Sequence, residues 1–361
     1  MRDGKLQRAG LTRRVVLRQA AVWAAIPAAI TLGAGPAVAE QHTSVRAPAV
    51  APVEVTAQSI PYFRRDSRER DFGRLRYLGG LHLTSEDERF GGFSGLIVEP
   101  DGKRFLSITD DGNWLSGRFV YDGDRIAEIA SASMGPLLAR SGRLLRGKRE
   151  RDSEALALVE GNLSNGQVLI GFERLHRIGR YPIRNGVPGA PTEFLSLPPD
   201  ASRMSSNRGF EAVAVLRGGP HSGAIIALSE RFGGEDEPHR GWIWIDGRPS
   251  PFELENIGGH DITDSVSMDD GSLVILERRF RWSEGVRMQL RLIEGGAVRP
   301  GAKLSGEVLL SADMGYEVDN MEGIAFHRDQ RGRAVLTVIS DDNFNSFLQR
   351  TILLQFELRA G

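Results

Sequence analysis

Acidic residues recur beside short apolar runs at nearly constant spacing along this chain. "EALAL" begins at Glu154, "EAVAV" at Glu211, "DSVSM" at Asp264 and "EGIAF" at Glu322, and "SGLIV" at Ser94 has the same form; the starts lie 60, 57, 53 and 58 residues apart. A second apolar run in each unit ends in an acid, at Asp110, Glu173, Glu230, Glu277 and Asp341, and in three units the two acids stand 19 residues apart. Carboxylates gathered in this way do one of two kinds of chemistry: they act as general acids and bases, or they supply the all-oxygen ligand set that suits Ca²⁺ or Mg²⁺. Arg174, Arg231 and Arg278 directly follow three of the second acids, and Arg177 and Arg208 lie close to others. Guanidinium groups there would clamp an anionic substrate or balance the acids.

The elements that must hold these residues are strands. The runs are four to eight residues long, alternating or β-branched, and bounded by Gly, Asp, Asn and Ser. Third runs ("RIGRYPI", "GWIWID", "VRMQLRLIE", "RTILLQFEL") and, in several units, fourth runs ("TEFLSLP", "SPFELENI", "GEVLLSA") complete each repeat. Four antiparallel strands per 50–60-residue repeat predict an all-β fold, a single β-propeller. Only 39 residues follow Glu322, enough for three strands, and "GRLRYLGGLHL" (73–83) precedes the first unit without a unit of its own. It is expected to close the last blade, giving five blades, or six if one unit has lost its pattern.

In such a blade the first strand begins where the second ends, so both sets of acids face one mouth of the central channel. The expected ligands of a divalent cation, Ca²⁺ in the first place, are Glu211, Glu322, Asp341, Asp342 and Asp110. The expected catalytic groups are Glu154, Glu173, Glu211, Glu230 and His176, and the expected anion clamps are Arg174, Arg177, Arg231 and Arg278. For any single acid, the plainer reading is a strand-end acceptor of backbone amides. "GGFSGL" around Ser94 has Leu96 where G-x-S-x-G needs its second Gly, which argues against a serine hydrolase. The basic run "RSGRLLRGKRER" (140–151) reads as a solvated loop that could overhang the mouth.

With 361 residues, 40% apolar residues and a net charge of −1, the chain gives no sign of a nucleic-acid or membrane surface, and the absence of Cys excludes disulfides and thiolate chemistry. Residues 1–39 predict a twin-arginine signal peptide: "TRRVVLR", an Ala-rich run too weakly apolar to span a membrane, and "AVAEQ" as a cleavage site. A periplasmic or secreted monomer follows as the expectation, with a flexible leader over 40–65 and the propeller over 66–361.

The motifs "FSGL…PDG…FLSITDDGNW", "SEALAL…GFERLHRIGRY", "GFEAVAV…ALSER" and "DNMEGIAF…ISDDNFN…QRTILLQFEL" resemble a bacterial family of phytase-like propellers named for an esterase-like activity of phytase. The resemblance covers residues 72–358 and implies an exported propeller with recurrent Glu and Asp acting on phosphoesters. The chain departs from true propeller phytases, which have six blades and hold phosphate with Lys and Arg, so inositol phosphate is not the expected substrate. Metal-assisted hydrolysis of a phosphoester or ester is the leading expectation. A glycosidase built on paired carboxylates, with Trp114, Trp242, Trp244 or Trp282 as sugar platforms, and a non-catalytic binding propeller are the alternatives.

Overall fold

The computed structural model describes residues 50–234 and 236–361; the expected signal peptide lies outside them. Five sheets form the blades, antiparallel throughout except where Lys303–Leu304 pairs parallel with the outer strand of blade three. Blade one runs outward through Phe93–Val98, Arg104–Thr109, Asn113–Asp122 and Arg125–Pro136. Blade two comprises Ser153–Gly161, Asn165–Phe172 and Arg177–Arg184, with the two-residue strands Val187–Pro188 and Glu193–Phe194 at its edge. Blade three comprises Phe210–Val215, Ile225–Ser229, His239–Ile245 and Arg248–Leu254. Blade four comprises Asp261–Ser267, Leu273–Arg281, Gly285–Ile293 and Glu307–Ala312. Blade five has Asn320–Arg328, Ala334–Asp341 and Thr351–Leu358.

The missing fourth strand of blade five is Leu75–Thr84, which pairs antiparallel with Thr351–Leu358, Leu83 opposite Thr351 and Leu75 opposite Leu358. The ring is therefore closed by the N-terminal strand, and the count is five. Each innermost strand packs against the next around the axis. This explains the small residues in the repeat. A Cβ on Gly95 would stand 2.9 Å from the Leu156 Cβ of the neighbouring blade, and one on Gly323 would stand 3.2 Å from the Gly95 backbone. Between successive blades lie five apolar clusters, one at each interface, which make the core a ring of wedges rather than one central mass.

Residues 51–65 do not behave as the expected flexible leader. Ala51–Pro52 pairs with the outer strand of blade one, and Thr56–Ile60 pairs with Leu75–Thr84 as a fifth strand of blade five. Phe63 is fully buried, with its ring 5.0 Å from Phe356 and 5.6 Å from Tyr77. The polar composition of "TAQSI" suits an outermost strand with one face in water, so it carries no hydrophobic signal of its own.

Candidate active site: an acidic channel mouth

At the start of every innermost strand the ladder slips by one residue. Phe93 pairs with Thr109 and Gly95 with Ile108, which leaves Ser94 extra. The same irregularity leaves Glu154, Glu211 and Glu322 extra in blades two, three and five. A bulge of this kind re-aims one side chain, here into the channel mouth. In blade four the extra residue is Thr263, since Ile262 pairs with Glu277 and Asp264 with Leu276. Asp264 is fully buried and accepts the amides of Ser265 at 2.7 Å and Ile324 at 2.8 Å, joining blades four and five.

The second ring shifts in the same way. Its members are Asp110, Glu173 and Glu230, just beyond the ladder, and Asp341, paired with Asn320 at its end, but blade four supplies Arg278. Glu277 faces the interior of its blade, fully buried, and is bonded to Arg291 and to Gln289 Nε2 at 2.8 Å. Because strand side chains alternate, this displacement by one residue exchanges an acid for a guanidinium at the mouth.

The resulting cavity has a volume of about 170 Å³ and is lined by Ser94, Asp110, Glu154, Glu173, Glu211, Glu230, Thr263, Arg278, Asn320, Glu322 and Asp341, among others. Seven carboxylates thus face one arginine. Burial, then the charges of neighbouring acids, pushes Glu154 and Glu211 well above the usual carboxylate range. Burial and the adjoining Asp152 carboxylate lift Glu173 to about 8. Burial and Glu322 lift Asp341 to about 8, and burial raises Glu322 to about 7 even though Arg278 opposes the shift. Glu230 is raised by burial and by Asp261.

The tightest oxygen cluster is Asp152, Glu154 and Glu173, each offering an atom within 4.8 Å of the others. At that separation, and an effective dielectric of about 20, each pair of charges repels by roughly 3 kcal/mol. Asp152 is missing from the sequence expectation. It precedes the strand register and is held by Lys148 Nζ at 2.7 Å and Arg174 Nε at 2.5 Å. Lys148 also bonds Asp110, so the short helix Gly147–Arg151 in the basic run does sit at the mouth. One oxygen of Asp110, Oδ1, is buried without a hydrogen-bond partner. An unpartnered carboxylate oxygen beside mutually repelling acids fits a hard divalent cation, so the residues present suit such a group.

Several expected site residues lie elsewhere. Asp342 accepts the amides of Gly92 at 3.3 Å and Phe344 at 3.1 Å, a strut between blades five and one. Glu211, Glu322, Asp341 and Asp110 do line the mouth, but the expected five-residue ligand set does not form one cluster. His176 packs edge-on against Phe210, with ring centroids 6.3 Å apart, outside the cavity wall. Of the four expected clamps only Arg278 lines the cavity. Arg174 is paired with Asp152, Arg231 is paired with Asp261 at 2.5 Å, and Arg177 lies over the Phe172 ring at 3.7 Å. Trp114, Trp242 and Trp244 are core residues and offer no sugar platform.

Arg278 itself is held in place: Nη1 donates to Asn320 Oδ1 at 2.5 Å and lies 3.4 Å from Glu322 Oε1, and Nη2 is 3.9 Å from Glu230. Glu211 accepts the Gly209 amide at 3.0 Å.

Among solved structures the chain is similar in fold to an endo-arabinase from Bacteroides thetaiotaomicron VPI-5482, at 11% identity over 75% of this chain and 94% of that one, with a TM-score of 0.48. It is also similar to the β-propeller domain of Cps50 (Swd1) from Myceliophteria thermophila, at 10% identity, 86% and 97% coverage and a TM-score of 0.37. U3-55K is similar at 10% identity, 78% and 98% coverage and a TM-score of 0.40. At these values the likeness bears on neither the activity nor the blade count. No curated protein sequence matches. A family model described as phytase-like, esterase-like activity of phytase, matches residues 88–344. With the closed ring and its acidic mouth, the match places the chain in the phytase-like propeller family.

Proposed function

We propose that the protein is an exported hydrolase that cleaves a phosphoester or ester bond at the acidic mouth with the help of a divalent cation, Ca²⁺ in the first place. The observation that carries this reading is the convergence of seven carboxylates on one small cavity with a single arginine in its wall. Membership of the phytase-like family supports the hydrolase class.

In this reading Asp152, Glu154 and Glu173 hold the cation, with Asp110 facing them. The cation supplies Lewis-acid polarisation of the scissile group and offsets the charge of the ring. Arg278, fixed by Asn320 and Glu322, pairs its charge with the anionic oxygen of the substrate. Glu211 has one oxygen held by the Gly209 amide; its other oxygen takes the proton of the attacking water as the bond to the leaving group breaks, and the departing alkoxide takes a proton from solvent. Glu230 sits between Arg278 and Arg208 and orients the guanidinium. Export through the twin-arginine pathway accounts for residues 1–39.

The test is a panel of aryl phosphate monoesters and diesters, carboxyl esters and glycosides, assayed after chelation and again with added Ca²⁺. Phosphoester or ester turnover lost on chelation and restored by Ca²⁺ is the expected result. Glycoside turnover indifferent to chelator would overturn the reading.

A further inference from the structure

The mouth face differs from the opposite end of the propeller in what it shows to solvent. Trp282 is 95% exposed, Phe347 92% and Leu348 72%, and Phe280, Phe344 and Met314 are also exposed. All six lie on or beside loops at the mouth end. Phe280 and Trp282 flank the turn after Leu273–Arg281, and their rings meet at 5.4 Å. Met314 lies against the same turn, since a Cβ on Gly285 would stand 2.7 Å from its Cγ. Phe344, Phe347 and Leu348 belong to the loop between Ala334–Asp341 and Thr351–Leu358. At the opposite end the exposed large apolar side chains among the described residues are two valines beside turns, Val120 and Val308, with no aromatic among them. Exposed aromatic side chains concentrated on one face mark an interaction surface.

One loop of the same face carries unpaired positive charge. The loop between blades one and two exposes Arg140, Arg146 and Arg149, and no side-chain ion pair holds any of the three among the described residues. This loop follows blade five around the ring, and the Phe344 ring lies against Gly92 at the entry to blade one. An arc over blades four, five and one therefore presents apolar tips on separate protruding loops, then the exposed Glu86 and Glu88, and then the three guanidinium groups. The mouth acids, in contrast, are buried or half-buried.

We propose that the mouth face docks on an anionic lipid surface, with Trp282, Phe347 and Leu348 inserted at the headgroup boundary and Arg140, Arg146 and Arg149 paired with lipid phosphates. Separate projecting side chains suit a fluid interface, which accommodates each tip independently, and the charge of the loop complements anionic headgroups. Docking would open the channel mouth onto the lipid surface. The proposal concerns binding alone and stands apart from the hydrolytic reading.

Trp282 reports the event directly, because Trp114, Trp242 and Trp244 are buried; the full chain carrying Trp23→Phe removes the remaining signal. Titration with phosphatidylglycerol vesicles is expected to shift Trp282 emission to the blue, with an affinity that falls as salt rises. The double substitution Phe347→Ser and Leu348→Ser is expected to lower the partition coefficient at least ~tenfold. Arg140→Gln, Arg146→Gln and Arg149→Gln together are expected to lower it roughly a hundredfold on phosphatidylglycerol and little on phosphatidylcholine. All these positions are exposed, so the unfolding midpoint serves as the folding control. No blue shift, or a shift unchanged in both variants, overturns the proposal. So does shielding of Trp282 that grows with protein concentration without lipid, which would assign the face to a second copy of the chain.

Discussion

Acids that look equivalent in the sequence have three fates: Glu154, Glu173, Glu211 and Glu322 face the mouth, Asp264 and Asp342 accept backbone amides, and Glu277 pairs with Arg291 inside its blade. These fates predict different losses. Glu277→Leu strands a buried guanidinium and is expected to cost about 3–5 kcal/mol of stability while leaving cation binding intact. Glu154→Gln and Glu173→Gln are expected to abolish most of the stabilisation that Ca²⁺ confers and to alter metal-free stability far less. Calorimetric unfolding with and without Ca²⁺ separates the two patterns, and a Ca²⁺ increment lost in Glu277→Leu and kept in Glu154→Gln would reverse the assignment. Most of the mouth was legible, because equal spacing of 19 residues can arise only if strand and turn lengths repeat. Blade four was not, because Asp264 and Glu277 offer acids one residue away from the true positions on either side.

At the scale of elements, the closing strand was legible because Leu75–Thr84 alternates strongly and has no unit of its own. The strand Thr56–Ile60 was not, since an outer strand with a solvated face carries almost no apolar pattern. What fixes that segment is Phe63, whose ring sits among Phe72, Tyr77, Tyr316 and Phe356. Phe63→Ala is expected to cost about 3–5 kcal/mol and to lower the unfolding midpoint by several degrees. Truncation before Arg64 is expected to have a larger effect, because it also removes the partner of Leu75–Thr84 and leaves an unpaired edge. An unfolding midpoint unchanged by truncation would contradict a structural role for residues 50–63.

For the molecule as a whole, the closed ring forces the first-strand and second-strand acids into one small volume, and the consequence is a dependence of stability on pH. Glu322, Glu173 and Asp341 have folded-state values of about 7, 8 and 8, above the roughly 4 expected of unfolded carboxylates. The folded state therefore binds protons more tightly than the unfolded state. This contribution is fully present below about pH 4 and is lost as pH rises through 7 to 8. A cation that replaces those protons must act in the opposite sense and stabilise more as pH rises. The most direct measurement of the central claim is the unfolding midpoint of the chelator-treated protein across pH 5.5 to 8.5, with and without Ca²⁺. The two curves are expected to converge at pH 5.5 and to diverge at pH 8.5, where the Ca²⁺ curve lies higher by the shift that corresponds to about 2.7 kcal/mol of stabilisation at a hundredfold excess over the dissociation constant. Superimposable curves at pH 8.5, with Mg²⁺ equally without effect, would contradict a cation at the mouth.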